Sequence, residues 1–315
     1  MSGILVTGKD GQVGFELLRS LAGLGQMIAV GRQQMDLSDP DAIRRVVRET
    51  KPDLIVNAAA YTAVDRAESE PEQALAVNGT APGILAEEAK RLGAALIHYS
   101  TDYVFDGSKG APYTEDDEPR PLNVYGRTKL AGERAIQAVD VPHLILRTSW
   151  VYGARGKNFL LTILRLARER EELSIVADQI GAPTWSCAIA TATANIVKRL
   201  GYGQAGFGDS CARQSGIYNL TSAGKTSWHG FAAAILGHAV SAQPGQSEFV
   251  LARAPVLKPI TSEQYPTPAA RPRYSVFTNE KLLQAFGIAL PDWTVGLAEC
   301  MADGGRKLTE GDISL

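Results

Sequence analysis

Cysteine is scarce in this chain of 315 residues, where Cys187, Cys211 and Cys300 are the only three. An odd count, wide spacing and the lack of any Cys-x-x-Cys exclude a disulfide framework and a zinc knuckle, and imply reduced thiols. Histidine is equally sparse: His98, His143, His229 and His238 lie scattered without ligand spacing, so no metal chemistry is assigned to them. No apolar run reaches about 18 residues, which excludes a membrane-spanning helix. Excess charge of either sign is missing as well. Lys plus Arg number 32 against 34 Asp plus Glu, a net charge of −2, which calls for neither nucleic acid nor an anionic membrane as partner. The opening Met1-Ser-Gly-Ile-Leu-Val-Thr7 lacks a basic segment followed by a long apolar core, so no signal peptide is expected. The acidic run Glu115-Asp-Asp-Glu118 reads as a solvated loop rather than a metal site, and no internal repeat occurs.

What remains is an ordinary globular composition, 45% hydrophobic and 21% charged. The length suits one large domain, or a nucleotide domain plus a smaller lobe. Short apolar runs alternate with amphipathic stretches through the first half. Strands are predicted at 4–7, 27–31, 54–57, 95–100 and 143–148. Helices are predicted at 12–22, 39–50 (with Ser38 as N-cap), 81–91 and 123–137. This rhythm predicts βαβ units: a Rossmann-type, doubly wound parallel α/β sheet with helices on both faces. After residue 150 the rhythm loosens. Helices are expected at 159–170, 186–200, 280–286 and 295–301, and short strands at 174–176, 217–220 and 249–251. A surface loop is expected at 201–215, and a proline-rich extended segment at 255–273. The expected division is a nucleotide-binding domain over 1–150, to which later segments return, a smaller C-terminal α/β substrate lobe over 151–302, and a frayed tail over 303–315.

Gly8-Lys-Asp-Gly11-Gln-Val-Gly14 stands between the first strand and a helix. Glycines there allow a tight turn and a close backbone approach to a pyrophosphate, which the helix N-terminus favours with free N–H groups. The same loop could be only a structural turn, but its place after the first strand favours the phosphate reading. The second strand ends in Gly31-Arg32 rather than in an acidic residue. An arginine can pair with an adenosine 2′-phosphate, which favours NADPH, with NADH still possible; Arg32 could also be a solvated surface residue. Asp36 and Leu37 follow as candidates for the adenosine.

Tyr125 and Lys129 share one helix face in Asn123-Val-Tyr-Gly-Arg-Thr-Lys129. A phenol with a pKa near 10 is a poor acid–base catalyst at neutral pH, and a cation beside it is expected to lower that value. Ser100-Thr101 closes an apolar run upstream. Glycine loop, hydroxyl and Tyr-x-x-x-Lys together point to a hydride-transfer enzyme.

These residues resemble the extended short-chain dehydrogenase/reductases. Further segments narrow the resemblance to reductases of nucleotide-linked 4-keto sugars. They are Val56-Asn-Ala-Ala-Ala-Tyr-Thr-Ala-Val-Asp65, His98-Tyr-Ser-Thr-Asp-Tyr-Val-Phe-Asp106, Arg147-Thr-Ser-Trp-Val-Tyr152, Asp178-Gln-Ile-Gly-Ala-Pro-Thr184 and Tyr265-Pro-Thr-Pro-Ala-Ala-Arg-Pro272. The resemblance implies NADPH-dependent reduction at C4 of dTDP-6-deoxy-L-lyxo-4-hexulose to dTDP-L-rhamnose, in the cytosol, by a monomer or homodimer. It implies Tyr125 as proton donor, Lys129 as its electrostatic partner and ribose ligand, and Thr101 as a hydrogen-bond donor to the same oxygen. Gly8, Gly11, Gln12, Val13 and Gly14 would meet the pyrophosphate, and Ala60, Tyr61 and Thr62 would line the cofactor. Thr101, Asp102, Trp150, Asn158 and Arg271 would contact the substrate. Some members hold magnesium through glutamates at a dimer contact. Glu16 and Glu299 lie near two matching places, but Cys187 stands at the third, which argues against a bound metal here. Two other readings of this fold are a nucleotide-binding regulatory subunit of the methionine adenosyltransferase type and an epimerase of nucleotide sugars.

Overall fold

Side chains on a strand alternate between the two faces of its sheet, and this alternation organises the core. The computed structural model describes residues 3–242 and 249–303. Strands β1 (Gly3–Thr7), β2 (Gln26–Val30), β3 (Leu54–Asn57), β4 (Ala95–Thr101), β5 (His143–Thr148) and, after intervening short strands, β10 (Gly216–Asn219) form one sheet in the order β10-β5-β4-β3-β1-β2. Every neighbouring pair is parallel. Ile4, Val6, Leu54, Val56, Ile97, Leu144 and Leu146 point to one face, where they meet helices α1 (Gln12–Leu21) and α8 (Ser186–Arg199). Leu5, Ile55, Leu96 and Ile145 point to the other, against α2 (Pro40–Thr50), α5 (Ala81–Leu92) and α6 (Val124–Val139). Strands buried on both faces read as continuous apolar runs, which is why they were legible in the sequence. Winding reverses between β1 and β3, and the crevice beyond the C-terminal strand ends at such a point is where ligands of open α/β sheets bind.

A second apolar cluster joins helices α7 (Phe159–Glu169), α10 (Trp228–Ser241) and α12 (Trp293–Asp303) through Tyr152, Leu160, Ile163, Phe231, Ile235 and Leu297. Short strand pairs surround it: β6 (Val151–Tyr152) with β9 (Thr184–Trp185), β7 (Glu172–Val176) with β12 (Val256–Ile260), and β8 (Ile180–Gly181) with β11 (Thr226–Ser227).

Several expectations are corrected. Asp39, not Ser38, caps α2: its carboxylate accepts from the amides of Asp41 and Ala42, while the Ser38 hydroxyl donates to Asp36. The loop expected over 201–215 contains helix α9 (Phe207–Arg213). Its surrounding glycines mask the Phe207–Cys211 spacing, which puts both side chains on one face against the main core. Residues 249–251 form no strand. The Leu251 amide instead donates to Ala239 O at 2.9 Å. The proline-rich segment supplies β12, where Pro259 sits beside Ile175 in a two-stranded pair. Beyond Asp303 the expected tail lies outside the described residues.

Helix α6 is held by a buried ion pair. Arg147 of β5 donates to both carboxylate oxygens of Glu133, at 2.9 and 2.6 Å, and each side chain is 1% exposed. The guanidinium also lies 5.1 Å over the Phe105 ring. Removing one partner strands the other charge in the core. Glu133→Ala is therefore expected to lower unfolding free energy by about 3–5 kcal/mol in urea titrations. A loss below about 1 kcal/mol would show that the pair does not anchor the helix.

Candidate active site

A cavity of about 920 Å³ opens across the C-terminal ends of β1, β3, β4 and β5. Its floor begins at the glycine loop. Gly8 has φ +68°, a left-handed conformation that glycine tolerates. A Cβ on Gly14 would collide with the Gly8 carbonyl oxygen. Gly14 thus lets α1 approach the strand instead of facing the cavity. Gly11 occupies the N-cap of α1, and no side chain caps the helix. The free N–H groups of its first turn suit an anion such as a pyrophosphate.

Of the expected cofactor residues, Gly8, Gly11, Gln12, Val13, Arg32, Asp36, Leu37, Ala60, Tyr61, Thr62, Tyr125 and Lys129 all wall this cavity, and Gly14 does not. Arg32 pairs with Asp36 at 3.1 Å on an exposed rim. Asp36 also accepts from the amide and hydroxyl of Ser38, which holds its carboxyl below the usual range. Tyr61 is fixed at both ends: its amide donates to Asn78 Oδ1 at 2.8 Å and its hydroxyl to Glu70 at 2.7 Å. Sequence reading missed Ser100, Thr148 and Lys157, which also line the wall. Ser100 Oγ and Thr148 Oγ1 are buried there and make no hydrogen bond within the described chain. Buried hydroxyls without partners are rare and mark where a ligand can supply them.

Asn123 caps α6 by accepting from the Gly126 amide at 2.8 Å, which starts the helix one residue before Tyr125. A Cβ on Gly126 would strike the Tyr103 carbonyl, so glycine lets the first turn press against β4's exit. Burial pushes the Tyr125 phenol up to about 12, against a lowering effect of the Thr101 hydroxyl. The expected lowering of the phenol by a cation is therefore corrected: its value is raised, and Lys129 is not among the groups that shift it. Lys129 Nζ donates to Tyr99 O at 2.6 Å and lies 3.2 Å from His98 Nε2. Burial lowers Lys129 to about 8, opposed by Glu133. His98, to which no chemistry was assigned, is thus a direct neighbour of the lysine. A protonated phenol over the neutral range is a proton donor rather than a base, which is the form that reduction of a carbonyl requires.

The expected substrate residues lie outside the cavity wall. Thr101 Oγ1 donates to Asp102 Oδ1 at 3.0 Å. Burial raises Asp102 to about 6, and its Oδ2 makes no hydrogen bond within the described chain. Trp150 has φ +47°, uncommon for a large side chain. Its ring stacks on Trp228 with centroids 3.5 Å apart and planes at 4°. Trp228, in turn, donates to Gln179 at 3.1 Å, so the predicted aromatic wall is a pair. Asn158 caps α7 through the Leu161 amide and donates to Gln12 Oε1 at 2.8 Å, which ties the later segment to the glycine loop. Arg271 forms a bidentate pair with Asp65 at 2.9 and 2.7 Å and also donates to Ala269 O at 2.8 Å. Nothing in the spacing of these residues announces the contacts, because 206 positions separate Asp65 from Arg271. Among the described residues no group of three or more His, Cys, Asp or Glu is placed to hold a metal ion.

Comparison with known proteins agrees across the chain. Residues 1–305 match the family described as RmlD substrate binding domain. The dTDP-4-dehydrorhamnose reductase of Burkholderia thailandensis is 51% identical over 300 residues, covering 95% of this chain and 98% of the relative. The crystal structure of a dTDP-4-dehydrorhamnose reductase from Clostridium acetobutylicum superposes with a TM-score of 0.84 at 33% identity, covering 95% of this chain and 98% of the other. That from Bacillus anthracis, in complex with NADP, gives 0.82 at 33% identity, covering 95% and 99%. Likeness of this depth, over nearly the whole length of each chain compared, makes this protein a member of the dTDP-4-dehydrorhamnose reductase family.

Proposed function

We propose that this chain reduces the C4 carbonyl of dTDP-6-deoxy-L-lyxo-4-hexulose to dTDP-L-rhamnose, with NADPH as cofactor. The observation that carries the reading is one cavity walled by an uncapped helix N-terminus at one side and by Tyr125 and Lys129 at the other. Its residues fit a dinucleotide. The glycine loop leaves room for a diphosphate, Arg32 stands at the rim, and the unpartnered hydroxyls of Ser100 and Thr148 offer hydrogen bonds near Tyr125. When bound, NADPH supplies the hydride that adds to the carbonyl carbon.

As that addition proceeds, negative charge grows on the sugar oxygen and must meet a proton. Tyr125 donates it from its phenol, and the Thr101 hydroxyl, which acts on that phenol, shares the oxygen. Lys129 contributes positive charge and a hydrogen bond to the nicotinamide ribose. Residues 1–150 hold the dinucleotide in this reading, and the segment 151–302 serves the sugar nucleotide. Trp150, stacked on Trp228, offers an aromatic face to the apolar C–H edges of a sugar. Arg271 suits the diphosphate, and takes it by exchanging Asp65 for phosphate oxygens. Asp102 would contact the sugar through its unpartnered oxygen, whereas Asn158 would act through Gln12.

The direct test follows loss of reduced-nicotinamide absorbance with enzymatically prepared keto-sugar, alongside identification of dTDP-rhamnose. Protein that binds NADPH yet consumes none of it would overturn the reading. Tyr125→Phe is expected to cut kcat by about 10²–10⁴, with NADPH affinity by fluorescence titration nearly unchanged. Turnover near the original rate would remove Tyr125 as donor. Arg32→Ala is expected to raise KM for NADPH about tenfold, from the loss of a charge-assisted hydrogen bond, and to leave KM for NADH little altered. Equal changes for both cofactors would mean that Arg32 does not read the 2′-phosphate.

A further inference from the structure

Beneath the cavity a row of polar side chains crosses the sheet. Thr7 of β1 lies opposite Asn57 of β3, and Asn57 opposite His98 of β4. Thr7 Oγ1 is 2.6 Å from Asn57 Oδ1, and Asn57 Nδ2 is 2.9 Å from His98 Nδ1. The row ends at Lys129 Nζ, 3.2 Å from His98 Nε2. Each of these side chains is at most 2% exposed. Apolar side chains would fill the same positions without desolvating polar groups, so the row carries a cost that packing alone does not explain. Both of its ends, Thr7 and Lys129, wall the cavity.

The atoms constrain one another. An ammonium has three hydrogens and no lone pair. One goes to Tyr99 O at 2.6 Å; a second finds an acceptor only if His98 Nε2 carries no hydrogen. A neutral imidazole then has its hydrogen on Nδ1. Rotation of the Asn57 amide by 180° turns its oxygen to that hydrogen and its NH₂ group to Thr7 Oγ1. The Thr7 hydroxyl, which already accepts from the Ala59 amide at 3.1 Å, has a second lone pair for it. The Thr7 hydroxyl, which in the other orientation donates to Asn57 Oδ1, loses that acceptor, so its hydrogen and the third ammonium hydrogen both remain for the cavity that Thr7 and Lys129 wall. The amide orientation present in the structure, with Nδ2 toward Nδ1 and Oδ1 accepting from Thr7, puts the ring hydrogen on Nε2 and suits only an uncharged amine. The row therefore has two self-consistent settings, and the charge on Lys129 selects between them.

We propose that His98 is a positioning residue for the reduction: backed by Asn57 and Thr7, its Nε2 accepts from Lys129 and holds that amine charged, with one hydrogen turned to the cavity. The inference rests on the reductase reading of the site. The other groups around Lys129 leave this task to His98. Tyr125 and Glu133 belong to its own helix, and Glu133 is committed to Arg147 of β5. From β4, Tyr99 offers its carbonyl, while its hydroxyl bonds Thr193. Burial and the adjacent lysine hold His98 well below the usual imidazole range, so it acts as a neutral acceptor and not as a second cation.

Nitrogen NMR of the imidazole in the full-length, ligand-free protein tests this without turnover. Below about pH 7, where a lysine lowered to about 8 is still mainly charged, His98 is expected to be neutral with its hydrogen on Nδ1. It is expected to change tautomer as Lys129 loses its proton at higher pH. An Nε2–H tautomer or an imidazolium below pH 7 would overturn the proposal. Kinetic pH profiles with saturating NADPH and keto-sugar give a second readout. His98→Leu removes the acceptor and is expected to move the alkaline limb of kcat about one pH unit lower. His98→Gln, which supplies an oxygen acceptor, is expected to return it toward the original position. A Leu profile scaled down equally at every pH would make His98 a packing residue and would refute its role. If His98→Leu fails to fold, the tautomer measurement decides. An inactive parent enzyme would sink the reductase reading, and the tautomer would still report on the row.

Discussion

Arg147 and Glu133 meet with almost no solvent contact, and their pairing joins strand β5 to the helix that carries Tyr125 and Lys129. Two charges in a core are tolerated only when they face each other with good geometry, so the pair admits very few placements of the helix. Gly126 adds a second restriction, because only a residue without a side chain lets the first turn lie against Tyr103 O. From these contacts the rest of the site follows. Tyr125 reaches Thr101 at the end of β4, and Lys129 reaches His98 and Tyr99 one turn further along. The phenol and the amine come from one helix, yet each is tuned by groups on a strand.

The electrostatics of the site follow from burial more than from neighbouring charge. Tyr125 and Lys129 are both pushed toward their neutral forms, the phenol upward and the amine downward. A neutral phenol keeps the proton that a reduced carbonyl needs. An amine lowered by burial responds to each hydrogen-bond acceptor within reach, and two of them come from β4. The local hydrogen-bond pattern therefore matters more here than the overall charge of the chain, which is close to balanced.

The later segment is tied to the first 150 residues by polar contacts rather than by the sheet alone. Asn158 bonds Gln12 in the glycine loop, and Arg271 bonds Asp65 after β3. The aromatic pair Trp150–Trp228 shows the same division of labour, with one ring from the connection between β5 and β6 and the other from the start of α10. Residues that would touch a sugar nucleotide thus lie where two parts of the chain meet, which is where clefts large enough for such ligands arise.

Apolar strands alternating with amphipathic helices determined the sheet and its parallel pairing from the sequence alone, since strands covered on both faces must be continuously hydrophobic. The glycine loop and the Tyr125–Lys129 spacing were equally legible, because turn chemistry and helical periodicity act over a few residues. Helix α9 escaped notice amid glycines, and the α2 cap was misassigned by one residue, since Ser38 and Asp39 are both good caps and only backbone geometry chooses between them. The tertiary structure alone decided which distant residues touch. Thr7, Asn57 and His98 share a row because parallel register aligns three strands, and Arg271 finds Asp65 because the chain returns from far away. Such contacts depend on how elements are stacked, a property that no local pattern of residues encodes by itself.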